Sequence, residues 1–250
     1  MNDLLRVTLL GLFFGTFGTT IGGIVGITFR NPSNKILSFI LSLAAGLMTA
    51  IVSFDLIPEA LNISSVMSVI IGIILGILCM VICNKIVDKK FNDTNCSDIK
   101  ERKNELLRAG IITSIGLAIH NFPEGLAIGS GFGASLGLGY SLAIAICIHD
   151  IPEGISMAVP MKNGGMSANK VLAYVILSGV TTGIGAFVGK IIGGISNSVI
   201  AICLSFAAGA MLYIISGELI PESNELYKGR VSTIGSILGF IIGLIAVNIG

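Results

Sequence analysis

Eight stretches of apolar residues divide the chain, at roughly 5–28, 36–57, 64–86, 107–129, 137–160, 170–190, 198–219 and 231–249. Each is close to the ~20 residues with which a helix crosses ~30 Å of hydrocarbon. The stretches are continuously apolar rather than alternating, and too long for strands, which excludes a closed barrel. The pattern predicts an all-α, polytopic membrane protein with eight transmembrane helices. The first apolar run, Val7 to Phe29, is too long for the core of a secretion signal. Arg30-Asn31-Pro32 after it is no small-residue cleavage site, so the run reads as the first membrane helix.

Composition agrees. Hydrophobic residues make up 53% of the 250, charged residues only 12%, mean hydropathy is +0.94 and Trp is absent. A soluble domain carries about 25% charged residues. The formal charge of +1 comes with no basic patch and points away from nucleic acid. Five cysteines show no C-x-x-C spacing and imply no disulfide framework; Cys79 and Cys83 share a helix face and read as core thiols.

The basic residues set an orientation. With both termini outside, thirteen of the fifteen Lys and Arg fall in the inner connections, and only Arg6 and Lys190 lie at the outer side. The long hydrophilic stretch, Asp88 to Glu105, is then cytosolic. It mixes both signs and contains no His.

An internal repeat runs through this plan. Leu41-Ser-Leu-Ala-Ala-Gly-Leu-Met48 returns as Leu204-Ser-Phe-Ala-Ala-Gly-Ala-Met211. Leu56-Ile-Pro-Glu59 returns as Leu219-Ile-Pro-Glu222, and twelve of the nineteen positions aligned from Leu41 to Glu59 are identical. The copies lie in spans two and seven, an odd number of crossings apart, so they run in opposite directions. Inverted repeats of this kind mark alternating-access transporters. The expected organisation is one domain over 1–250, a 3+2+3 inverted repeat with N-out/C-out topology. Repeat halves of about 1–86 and 170–250 flank a central helix pair at 107–160, with a cytosolic loop at about 87–106. The 33 glycines, many inside spans, suit either tight packing or sliding surfaces. Asp55 and Glu218, repeat partners near their span ends, read as helix-end polar residues or as part of a gate.

The candidate chemistry sits in spans four and five. His120-Asn121-Phe122-Pro123-Glu124-Gly125 and His149-Asp150-Ile151-Pro152-Glu153-Gly154 hold the only two histidines of the chain. On a helix His120 and Glu124 share a face, as do His149 and Glu153. A charge in a bilayer interior costs at least ~3 kcal/mol, so three carboxylates there need a partner or a task. Like charges in a low-dielectric pocket require protons or a cation. Imidazole nitrogen with carboxylate oxygen suits Zn, Fe, Mn and similar divalent ions rather than Cu(I) or Ca²⁺. Each run also has a proline, which frees the carbonyls of Ile119 and Ile148 from their helical bonds.

These motifs resemble those of the ZIP (Zrt- and Irt-like) family of divalent metal transporters, in its bacterial zinc-uptake branch. The likeness extends over eight spans, the long loop after span three and the paired H-N-x-P-E-G and H-D-x-P-E-G runs. It implies zinc uptake into the cytosol of a prokaryote through a multi-pass protein of the cytoplasmic membrane, by alternating access through a binuclear site. Carried over residue by residue, His120, Glu124, His149 and Glu153 form the first metal site, with Met48 as a thioether ligand. Asn121 and Asp150, with the two glutamates bridging, form the second. Fe²⁺, Mn²⁺ and Cd²⁺ are further candidate substrates, and a homodimer is left open. In one departure, Thr182 stands where similar bacterial members carry Glu in span six. The enzyme alternative, an intramembrane zinc metalloprotease, would need H-E-x-x-H, and here Asn121 and Asp150 follow the histidines. An exporter or a channel of the same fold remains open from sequence.

Overall fold

A computed structural model describes residues 3–28, 33–91 and 99–249. Among them every regular element is helical. The helices are α1 (Asp3–Thr28), α2 (Asn34–Ile51), α3 (Ile57–Ile63), α4 (Val66–Phe91), α5 (Ile99–Ala134), α6 (Leu136–Asn163), α7 (Ala168–Gly193), α8 (Asn197–Ile214), α9 (Ile220–Leu226) and α10 (Val231–Ile249). Seven helical stretches are long and apolar enough to cross a bilayer, and α10 adds a shorter apolar one over Val231–Ile245. Large apolar side chains stay exposed along the outside, on α4 at Ile70, Ile74, Leu78 and Ile82 and on α10 at Ile234, Ile237 and Ile241. Such an all-round apolar surface suits lipid as solvent.

Serines start the helices the loops feed. The hydroxyls of Ser33, Ser135 and Ser196 accept from the amides of Ile36, Leu138 and Val199 at 3.4, 3.1 and 3.3 Å. Spans two and seven do not end where the sequence reading placed them. Each passes through a π-helical segment, Val52–Leu56 and Ile215–Leu219, and continues as α3 and α9. Pro58 and Pro221 come second after these segments, following Ile57 and Ile220. Proline lacks an N–H and its ring presses on the carbonyl four residues back, and the wider π turn absorbs both effects without stopping the helix. Both copies of the sequence repeat thus make the same helix, π turn and proline-led helix. Asp55 and Glu218 lie inside the π turns rather than at helix ends. Similarly, α5 and α6 run unbroken through Pro123 and Pro152. The stretch expected as a loop at 87–106 is helical up to Phe91 and again from Ile99; residues 92–98, with Cys96, lie outside the described residues. Cys79 and Cys83 are half-buried on α4 rather than core thiols.

The helices pack in two groups that do not follow chain order. In the first, α1 and α7 pack on the pair α5 and α6; in the second, α2 packs on α10 and α4 on α8. Glycine seams weld each group. A Cβ on Gly22 of α1 would lie 2.9 Å from Cα of Gly154 on α6, and one on Gly46 of α2 would lie 2.8 Å from the Phe240 amide of α10. Only glycine allows backbones this close. These glycines therefore bond neighbours tightly instead of forming a sliding surface. The groups meet chiefly through α2 against α6 and α5 against α8. That contact is made by larger side chains, among them Met48, Ile51, Ile128, Leu142, Ile146 and Leu204 of one continuous apolar core. The continued spans α2–α3 and α8–α9 lie antiparallel: Ser38 of α2 bonds Ser223 of α9 at one end, and Ser64 at the end of α3 bonds Ser198 of α8 at the other.

Candidate metal centre

α5 and α6 are antiparallel neighbours joined at Ser135, and each carries one copy of the His, Asn/Asp, Glu set on its inner face. Reversal of direction brings each histidine opposite the glutamate of the other helix. His120 Nε2 lies 3.1 Å from Glu153 Oε2, and His149 Nε2 lies 2.9 Å from Glu124 Oε1. Asp150 Oδ1 stands 3.6 Å from His149 Nε2. His120 is 4% exposed, and Asn121, Glu124, His149, Asp150 and Glu153 are completely buried. Ligand atoms of Glu124, His149, Asp150 and Glu153 all lie within 4.8 Å of one another. His120 joins this cluster through Glu153.

The cluster is short of partners. Asn121 Oδ1, Glu124 Oε2, His149 Nδ1, both carboxylate oxygens of Asp150, Glu153 Oε1 and Thr182 Oγ1 are buried without a hydrogen bond. An orphaned buried polar atom costs about 1–3 kcal/mol, and such groups are rare in folded proteins. Divalent cations would satisfy the unused lone pairs and balance the carboxylates. Nitrogen and oxygen donors in this mixture suit Zn²⁺ and its neighbours.

Surrounding groups orient the donors. Asn121 Nδ2 donates to the Ser178 carbonyl of α7 at 3.1 Å, which turns its Oδ1 away from α7. Thr181 Oγ1 donates to the same carbonyl at 2.6 Å. That oxygen is the acceptor four residues back that a helical Thr182 would use, so the Thr182 hydroxyl is left over. Thr182 packs against Gly15 of α1 and Gly125 of α5, in the middle of the first helix group. Met48 is fully buried on α2, the second-group helix that faces α6.

The surroundings differ on the two sides of the cluster. On one side a cavity of about 240 Å³ lies between the groups, lined by His120 and Ser156 from the first and by Asn84, Glu218, Leu219 and Glu222 from the second. Asn84 Nδ2 donates to Glu218 Oε1 at 2.6 Å, and Glu222 is exposed at the mouth. On the other side the apolar core closes over the cluster, and Ser141 Oγ of α6 donates to Asp55 Oδ2 at 3.2 Å. Asn84, Ser141 and Ser156 escaped the sequence reading. Ser141 is a lone small polar residue in an apolar run, Asn84 stands beside Lys85 at the end of its run, and Ser156 stands three residues after Glu153.

Known proteins give the same picture. The family profile described as ZIP Zinc transporter matches residues 88–247. The zinc transporter ZupT of Salmonella heidelberg is 30% identical over 234 residues, covering 90% of each chain. ZupT of Shigella flexneri is 29% identical over 239 residues, 91% of this chain and 92% of the relative. The zinc transporter GufA of Myxococcus xanthus is 37% identical over 140 residues; that match spans 55% of this chain and 54% of GufA, about half of each. The chain belongs to the ZIP zinc transporter family.

Proposed function

We propose that this protein carries Zn²⁺ across a membrane into the cytosol by alternating access. The observation that carries this reading is the buried, partner-starved cluster between α5 and α6, reached by an acid-lined cavity from one side and sealed on the other. His120, Glu124, His149 and Glu153 are the first zinc site, with Met48 of the facing group supplying a thioether. Asn121 and Asp150 complete a second ion between the same glutamates. Carboxylates and imidazoles replace the ion's hydration shell, and the acids of the cavity take it up on release. The ion travels with the welded group α1, α5, α6 and α7, which shifts against the α2, α4, α8 and α10 group along the apolar contact between them.

The thirteen-to-two distribution of basic residues supports N-out/C-out topology, which puts the Glu222 cavity on the cytosolic side. The matching π turns of spans two and seven support the 3+2+3 inverted repeat. A single domain in a prokaryotic cytoplasmic membrane, with Fe²⁺, Mn²⁺ or Cd²⁺ as competing substrates, completes the reading. Hydrolysis has no support, because Asn121 and Asp150 rather than Glu follow the histidines and neither histidine has a second one four residues on, as H-E-x-x-H requires.

The test combines sidedness with flux. In a variant keeping only Cys96, a membrane-impermeant thiol reagent is expected to label the protein after the membrane is opened and not in intact cells. Radiolabelled Zn²⁺ is expected to accumulate in vesicles of the same sidedness, and to saturate. Labelling of intact cells would reverse the orientation and with it the direction of transport.

A further inference from the structure

The two helix groups are tied differently at the two ends of the pathway. Most long-range polar contacts stay inside a group. Arg6–Tyr140 and Lys190–Phe132 belong to the first, Ser38–Ser223 and Asn84–Glu218 to the second. The Ser141–Asp55 hydrogen bond instead joins α6 of the first group to the π turn after α2 of the second.

Its position is informative. Ser141, Ala145 and His149 succeed one another at four-residue spacing, so one face of α6 leads from this bond to the metal cluster. Ala145 is 1% exposed and lies in the apolar core that closes this side. Across from it, Asp55, Ile51 and Met48 lie on the second group. Any opening of the pathway on this side must part these two faces, and the bond between Ser141 and Asp55 with them. The repeat supplies the comparison. Glu218, the counterpart of Asp55, is tied to Asn84 within its own group and faces the cavity. The π-turn acid is thus held across the groups where the pathway is shut, and not where it is open.

We propose that the Asp55–Ser141 hydrogen bond is the latch that holds the outer side closed, and that an arriving divalent cation releases it by taking the same carboxylate. This rests on the transport reading above and adds to it how the outer side opens. Asp55 retains 9% exposure, and Glu59, one turn nearer the mouth, is half-buried, so two carboxylates face an incoming ion. A doubly charged ion interacts with a carboxylate more strongly than a neutral hydroxyl does, and the hydroxyl is displaced without any covalent step.

The experiment uses the full-length protein without its native cysteines and with Ala145→Cys, in cells. The rate of labelling by an impermeant thiol reagent from outside reads how often this side opens. Ser141→Ala is expected to raise it about tenfold, the factor a hydrogen bond to a charged group commonly carries. Ser141→Thr keeps the hydroxyl and is expected to match the parent, which separates the latch from a packing defect. Zn²⁺ is expected to raise labelling in the parent and not in Asp55→Asn, which still accepts from Ser141 but offers the metal no charge. Unchanged labelling in Ser141→Ala would overturn the latch, and an intact zinc response in Asp55→Asn would overturn release by the cation. Zinc uptake is followed in the same cells. Normal uptake with unchanged labelling condemns the latch alone, whereas no uptake in any version, the unaltered protein included, condemns the transport reading with it.

Discussion

Replacing Glu124 or Glu153 with Ala is expected to reduce saturable zinc uptake at least a hundredfold while the protein still reaches the membrane. Each glutamate faces the histidine of the other helix, and each keeps a second oxygen with no protein partner. Either one therefore contacts both halves of the cluster and can bridge two ions. Removing one partner of a buried charged pair costs about 3–5 kcal/mol, and 1.4 kcal/mol is a factor of ten in binding. Glu→Gln at the same positions keeps the volume and one acceptor oxygen but loses the charge, and is expected to fall nearly as far. Uptake by both Ala variants at the rate of the unaltered protein would show that the ion takes another route.

The second large effect concerns packing rather than chemistry. Gly22→Leu is expected to destroy most of the folded protein, read as loss of the monodisperse peak after detergent extraction. A Cβ at Gly22 meets the carbonyl of Ile151 and the backbone of Gly154, with no flexible side chain to move aside. Overpacking costs about 1–3 kcal/mol even where neighbours can shift, and here α1 would have to leave α6, next to His149, Asp150 and Glu153. Gly137→Ala is the contrast: nothing lies within 4 Å of its Cβ position, and Ala there is expected to leave the protein intact. Equal yields for Gly22→Leu and Gly137→Ala would mean the seam between α1 and α6 holds little together.

The buried cluster of His, Asn, Asp and Glu side chains was legible in the sequence because the bilayer makes polar residues conspicuous. Two histidines and three carboxylates at helical spacing within apolar runs have few other uses, and their cross-pairing follows once α5 and α6 are antiparallel. The spans were legible by length, but two of their ends were not. The apolar runs were expected to end at about 57 and 219, whereas the helices continue through π turns, an outcome of three-dimensional packing, to Ile63 and Leu226. Asp55 and Glu218 were accordingly placed at helix ends, and the Ser141 and Asn84 that partner them carried no signal. The grouping of α1 and α7 with α5 and α6 was hidden too. Glycines at 11, 15, 18, 22 and 26 announce that α1 packs closely on something, but spacing on one helix does not name its partner.

The most direct measurement of whether the α5 and α6 donors hold the transported zinc is X-ray absorption at the zinc edge on purified protein loaded with Zn²⁺. Nitrogen and oxygen neighbours at about 2.0–2.2 Å are expected, with the outer-shell scattering that imidazole rings produce. In a variant carrying both His120→Ala and His149→Ala, which removes every histidine of the chain, that imidazole signal is expected to vanish and bound zinc to fall. Zinc retained in full by this variant, or a spectrum without imidazole in the unaltered protein, would contradict the assignment.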